Sequence, residues 1–147
     1  MARSGSCMCG AVKFSINTPV AETGACHCSM CRKWSGGVYL GVQVPPGGLD
    51  IDGEENLTIY ASSDWAERAF CKTCGSSIFY RVTIPGPHQG EMHVGFGALD
   101  DVDAMELSGE LYIDLKPAAY AFAGEGRHQM TEEDVNALFS APPPETT

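Results

Sequence analysis

Seven cysteines in three groups constrain this chain more than any other feature: Cys7 with Cys9, then Cys26, Cys28 and Cys31, then Cys71 with Cys74. An odd thiol count, behind an N-terminus "MARSGSCMCG" that lacks an apolar h-region, fits metal ligation in a reducing compartment better than a disulfide framework. "CKTCG" is the strongest local signal. Two thiolates at i and i+3 across a tight turn can grip one ion, and Gly75 relieves the positive φ of such a turn. Cys7 and Cys9, at i and i+2 of an extended segment, point the same way, and Gly10 permits a bend after them.

These two pairs complete a tetrahedral zinc site of Cys7, Cys9, Cys71 and Cys74, which closes a long loop and staples the domain. Structural zinc binds zinc-finger peptides with about 10–16 kcal/mol, comparable to the stability of a whole domain. Cys26, Cys28 and Cys31 then remain as three ligands with no eighth cysteine. Three protein ligands and one free position is the usual form of catalytic zinc. Spacing alone leaves other pairings open, such as Cys28 and Cys31 with Cys71 and Cys74, and it leaves open buried thiols without a metal. A histidine could also close the trio. His27 is wedged between two ligands, where its ring has difficulty reaching the same ion. His93 falls in a strand-like segment, while His88 and His128 fall in turns and read as solvated.

Alternation dominates the rest of the chain. "AVKFSI" and "VYLGVQV" carry apolar residues at every second position, the period of half-buried strands. "LTIY", "AERAF", "SSIFYRVTI", "EMHVGFG" and "ELYIDL" are further candidates, giving seven or eight short strands. Turn clusters separate them at 45–48, 52–56 and 85–90. "SMCRKWS" forms at most a short helix. The best helix is 131–139, with Thr131 as N-cap, Asp134 three residues on, and Met130 and Val135 placed as a hydrophobic staple. One mainly β domain over 1–140 with a C-terminal helix, followed by a flexible tail over 141–147, is the expected organisation.

The net charge is −10, of which residues 100–147 carry −9. This balance argues against a nucleic-acid binder. No apolar run approaches the roughly 18 residues of a membrane span, so a soluble cytoplasmic protein is expected. The few bases cluster beside cysteines: Arg32 and Lys33 after Cys31, and Arg68 and Lys72 around Cys71. They read as charge compensation for thiolates or as a small anion pocket.

Four segments in order, "GSCMCGAVKFSI", "CHCSMCRKWSG", "RAFCKTCGSSIFY" and "GALDD", resemble the glutathione-dependent formaldehyde-activating enzyme family, which includes the centromere protein V domain. The resemblance spans residues 5–115. It implies an Mss4-like, zinc-pinned β-sheet assembly with two zinc ions. The structural one maps onto Cys7, Cys9, Cys71 and Cys74, and the catalytic one onto Cys26, Cys28 and Cys31. The implied activity is that of a carbon–sulfur lyase or synthase joining glutathione to formaldehyde. Small-molecule thiol and aldehyde are then the partners, and Arg32, Lys33 or Arg68 could receive a glutathione carboxylate. Tyr112 and Tyr120 stand where this family commonly has His and Trp, and both are expected to border the pocket. Alternatives from the same residues are turnover of another thiol or electrophile, a non-catalytic zinc-stabilised binding module with two closed sites, and a redox sensor. The oligomeric state is left open.

Overall fold

The computed structural model describes residues 3–140, so the expected tail over 141–147 lies outside the described residues. The chain forms two β-sheets. The smaller contains β1 (Arg3–Ser6), β2 (Lys13–Ile16) and β5 (Leu49–Asp52), paired antiparallel in the order β1-β2-β5. The larger adds β3 (Glu22–Cys26), β4 (Tyr39–Val44), β6 (Leu57–Ala61), β7 (Ala66–Cys71), β8 (Ser77–Val82), β9 (Met92–Gly95), β10 (Glu106–Leu111) and β11 (His128–Met130). Its order is β11-β10-β3-β4-β9-β8-β7-β6, antiparallel except where β10 pairs with β3 and β11. Two helices, α1 (Ser29–Ser35) and α2 (Glu132–Ser140), complete the described chain. The architecture is the mainly β assembly expected, with a short C-terminal helix.

Alternation within the large sheet sorts residues between two environments. Val42, Val44, Met92, Val94, Phe79 and Ala69 join Phe14 and Ile16 of the small sheet, and Val12 just before β2, in one buried core. The opposite face carries a row of cross-strand neighbours: Gln43 opposite His93, His93 opposite Tyr80, and Tyr80 opposite Arg68. This row runs across β4, β9, β8 and β7. It forms the floor of the cavity described below.

Eleven strands stand where seven or eight were expected among the described residues. β1, β3, β5 and β11 were not foreseen. They read "RSGS", "ETGAC", "LDID" and "HQM", too short or too poor in β-branched and aromatic residues to signal a strand, and their pairing partners stabilise them. His128 therefore sits in β11, not in a turn, and it is exposed as expected. The expected strand "ELYIDL" is displaced. β10 begins at Glu106 and ends at Leu111, where its register with Cys26 of β3 runs out. Tyr112 then turns the chain with φ 56°, and residues Ile113–Leu115 form a single 3-10 turn. No helix is long and apolar enough to cross a membrane among the described residues.

Candidate functional site

The structure sorts the seven thiols into two groups, Cys7, Cys9, Cys71 and Cys74 in one and Cys26, Cys28 and Cys31 in the other, with the sulfurs of each within 4.8 Å of one another. All seven are free. The sulfur–sulfur separations are 3.6 Å for Cys7–Cys9, 3.8 Å for Cys9–Cys71 and 3.5 Å for Cys26–Cys28. Four sulfurs about 2.3 Å from one zinc in a tetrahedron stand about 3.8 Å apart, so both groups fit that ion. A disulfide needs about 2.05 Å, far from any of these separations.

The four-cysteine group links the two sheets. Cys7 follows β1, Cys71 ends β7, and Cys74 sits in the turn to β8. Gly10 and Gly75 adopt φ of 81° and 78°, as the two knuckles require. The Gly75 N–H donates to the Cys71 carbonyl at 2.8 Å, and the Val12 N–H donates to the Cys7 sulfur at 3.3 Å. Ser76 ties the pairs together. Its hydroxyl accepts from the Met8 N–H at 3.0 Å and lies 3.2 Å from the Cys74 sulfur, which it helps push down to about 5.

The trio sits where β3 passes into α1. Cys26 ends the strand, Cys28 is the N-cap of the helix, and its sulfur accepts from the Cys31 N–H at 3.3 Å. Hydrogen bonds from the Cys26 and Cys31 thiols push Cys28 down to about 2. The same bonding pushes Cys26 upward. Cys31 is pushed up to about 11, because its bond with Cys28 and its burial outweigh a favourable bond with Cys26. One thiolate thus forms readily and its neighbours resist. Three touching sulfurs carry full charge only with a cation among them, which is the chemical case for a metal here.

A buried network holds the loop from behind. The His27 ring is fully buried and turned away from the sulfurs, with Nε2 2.8 Å from Glu110 Oε1 and Nδ1 2.8 Å from the Tyr120 hydroxyl. Arg127 Nε and Gln129 Nε2 donate to the other Glu110 oxygen at 3.2 and 3.0 Å. Burial alone would raise the Glu110 carboxyl. Bonds from Gln129, His27 and Arg127 overcome it and hold the group below the usual carboxylate range. An ionised carboxylate only accepts, so Nε2 carries a proton and, in the neutral ring, Nδ1 accepts from Tyr120. Tyr120 therefore stands behind the loop and is absent from the cavity lining, contrary to expectation. Tyr112 does border the cavity, and burial next to the cysteines pushes its hydroxyl up to about 12.

The trio opens onto a cavity of about 200 Å³ whose floor is the row Gln43, His93, Tyr80 and Arg68. Of the three basic residues considered for substrate, only Arg68 lines it. Its two terminal nitrogens each donate to the Cys31 sulfur at 3.7 Å, and its guanidinium lies 5.0 Å from the Trp34 ring and 5.2 Å from the Tyr80 ring. Arg32 and Lys33, on the last turn of α1, lie outside the lining, and Lys33 is exposed. His88 also departs from expectation. It is part-buried in the wall, 3.2 Å from Glu91, whose other oxygen is 2.9 Å from His93. Sequence reasoning missed this pairing and the Glu110 network. Glu91 lies three positions from His88 and two from His93, whereas Glu110 lies 83 positions from His27.

A Schizosaccharomyces pombe protein named as an uncharacterized lyase is 27% identical over 82% of this chain and 85% of its own length. Relatives bearing the formaldehyde-activating family's name are 33% identical in Halomonas elongata, over 54% of this chain, and 34% identical in Aspergillus flavus, over 57%. The chain spans about half the length of those two relatives, 55% and 46%. The crystal structure of a Rhodobacter sphaeroides protein superposes with a TM-score of 0.55 at 25% identity, covering 71% of this chain and 99% of that one. Residues 2–115 match the sequence profile described as glutathione-dependent formaldehyde-activating enzyme, and both cysteine groups lie within that stretch. The chain belongs to the glutathione-dependent formaldehyde-activating enzyme family.

Proposed function

We propose that this protein is a carbon–sulfur lyase or synthase that joins a thiol, glutathione or a similar one, to a small aldehyde such as formaldehyde, with Cys7, Cys9, Cys71 and Cys74 holding a structural zinc and Cys26, Cys28 and Cys31 a catalytic one. The single observation that carries this reading is a three-sulfur site opening directly onto a cavity, while a complete four-sulfur site lies apart from it. The chemistry zinc would supply is a lowered thiol pKa, so that the nucleophilic thiolate is present at neutral pH. The family description and the relatives' names support the substrate classes.

The remaining work falls to the chain. In the addition a sulfur–carbon bond forms as the carbonyl π bond opens. The proton lost by the thiol balances the proton gained by the oxygen, so no oxidant or reductant enters. Arg68, forked onto the Cys31 sulfur, offsets negative charge at the trio without reaching solvent. Tyr112, kept protonated, is a hydroxyl on the cavity wall able to donate to the oxygen as charge develops. His88 and His93, both bonded to Glu91, are the groups lining the cavity that can take up and return a proton.

Exchange between thiol plus formaldehyde and the hydroxymethyl thioether, followed by exchange NMR, tests the reading. The zinc-loaded protein should accelerate it, and Cys28→Ser should lose at least about 100-fold, the scale of removing one catalytic group. Serine still caps α1, so the helix start survives the change. Lack of acceleration by protein carrying two zinc ions would sink the reading.

A further inference from the structure

A second cavity, of about 180 Å³, adjoins the one at the trio, and the two share Cys26, Gln43, Tyr80, His93 and Leu111. Its floor is a row of glycines: Gly109 of β10 opposite Gly24 of β3, and Gly24 opposite Gly41 of β4. Glycine in a strand interior loses the most backbone entropy and packs no side chain, so three in a row call for a reason. None of the three has a positive φ. A Cβ at Gly41 would stand 3.1 Å from the Tyr39 ring and 3.3 Å from His93, and one at Gly109 would stand 3.3 Å from the His128 carbonyl oxygen. Crowding accounts for both. A Cβ at Gly24 would meet nothing closer than 3.7 Å, so the protein itself does not exclude a side chain there. The space that side chain would fill lies on the same face of β3 as Cys26, two residues on.

Tyr80 is a second, independent sign. It is only 7% exposed and stacks on His93 at 4.5 Å, yet its hydroxyl has no hydrogen-bond partner among the described residues. Buried polar groups are paired as a rule, and this one lines both cavities. Ser108 and Gln43, also in the lining, have free polar groups as well. From Cys26 to Glu22, the far end of the lining on β3, is about 13 Å at the rise of a strand, and an extended tripeptide spans about 10 Å. We infer that the body of the thiol lies along the glycine row as an extended, amide-bearing chain, with its sulfur at the trio and Tyr80 as a binding residue. The inference rests on the reading of the trio as a thiol-accepting site. It adds where the rest of that thiol goes and which residues hold it.

Calorimetric titration of the zinc-loaded protein with glutathione and with 2-mercaptoethanol, a thiol without such a body, tests it apart from turnover. The parent protein should bind glutathione at least tenfold more tightly. Gly24→Val fills the row and should weaken glutathione binding at least tenfold, with 2-mercaptoethanol within twofold. Gly24→Ala, whose methyl makes only the 3.7 Å contact, should lose at least threefold for glutathione alone, and it carries the test if the valine variant misfolds. Tyr80→Phe should also cost glutathione at least threefold, the scale of one hydrogen bond. Gly37→Ala, outside both cavities and with open space around it, should change neither thiol. Equal affinity of the parent for the two thiols, unchanged glutathione binding in the Gly24 variants, or equal losses for both thiols overturns the inference while the thiol-accepting site stands. Unchanged binding in Tyr80→Phe overturns that residue's part. If neither thiol binds the parent, the thiol-accepting reading itself fails and the inference falls with it.

Discussion

Glu110 shows how single residues hold the candidate site without touching it. Its carboxylate gathers His27, Arg127 and Gln129 behind the cysteine loop, and His27 lies between two sulfur-bearing residues of that loop. Because its folded pKa is held below the ordinary value of 4.5, the stability it contributes is complete above that value and is lost as pH falls through the folded pKa. Glu110→Gln should therefore cost about 1–3 kcal/mol at pH 7, from weakened buried hydrogen bonds. The gap to the parent protein should narrow as denaturant midpoints are measured from pH 6 down to pH 3. A gap that stays constant would show that the carboxylate's charge is not what matters. Both partners are plain in the sequence, but their meeting is not. Glu110 reads there as one of eleven acids in an acidic C-terminal part, and only the parallel pairing of β10 with β3 brings it under His27.

At the scale of elements, α2 is the clearest agreement between sequence and structure. Thr131 N donates to Asp134 Oδ2 at 2.9 Å and Asp134 N donates to Thr131 Oγ1 at 3.2 Å, the reciprocal bonding that Thr131 and Asp134 foretell. Thr131→Ala should cost about 1 kcal/mol. It should speed amide exchange across 132–140 in particular. Slower or unchanged exchange there would show that the cap does not hold the helix. The helix was legible because its signals are local. Its place over the cavity was not, since Trp65, His88 and Phe139 meet only after β6 to β9 have paired. The small sheet was illegible for a related reason. β1 and β5 are short edge strands stabilised by β2 between them and by the core beneath.

Across the whole molecule, the seven cysteines gather into two groups that could each hold a metal ion. Counting thiols gave the four-plus-three partition, and the folded chain brings those same sulfurs together, because each knuckle glycine and each strand end falls where the spacing requires. Counting did not show which cations serve the trio: Arg68 reaches it from β7, while Arg32 and Lys33, its neighbours in sequence, do not line the cavity. The family assignment and the open cavity make the free position of the trio the central claim. Zinc X-ray absorption on metal-quantified protein, before and after addition of glutathione, tests that free position. Two zinc ions per chain are expected, with about 3.5 sulfur ligands each on average, rising to about four when the thiol is added. A single zinc, or a sulfur count that does not change with thiol, would contradict it.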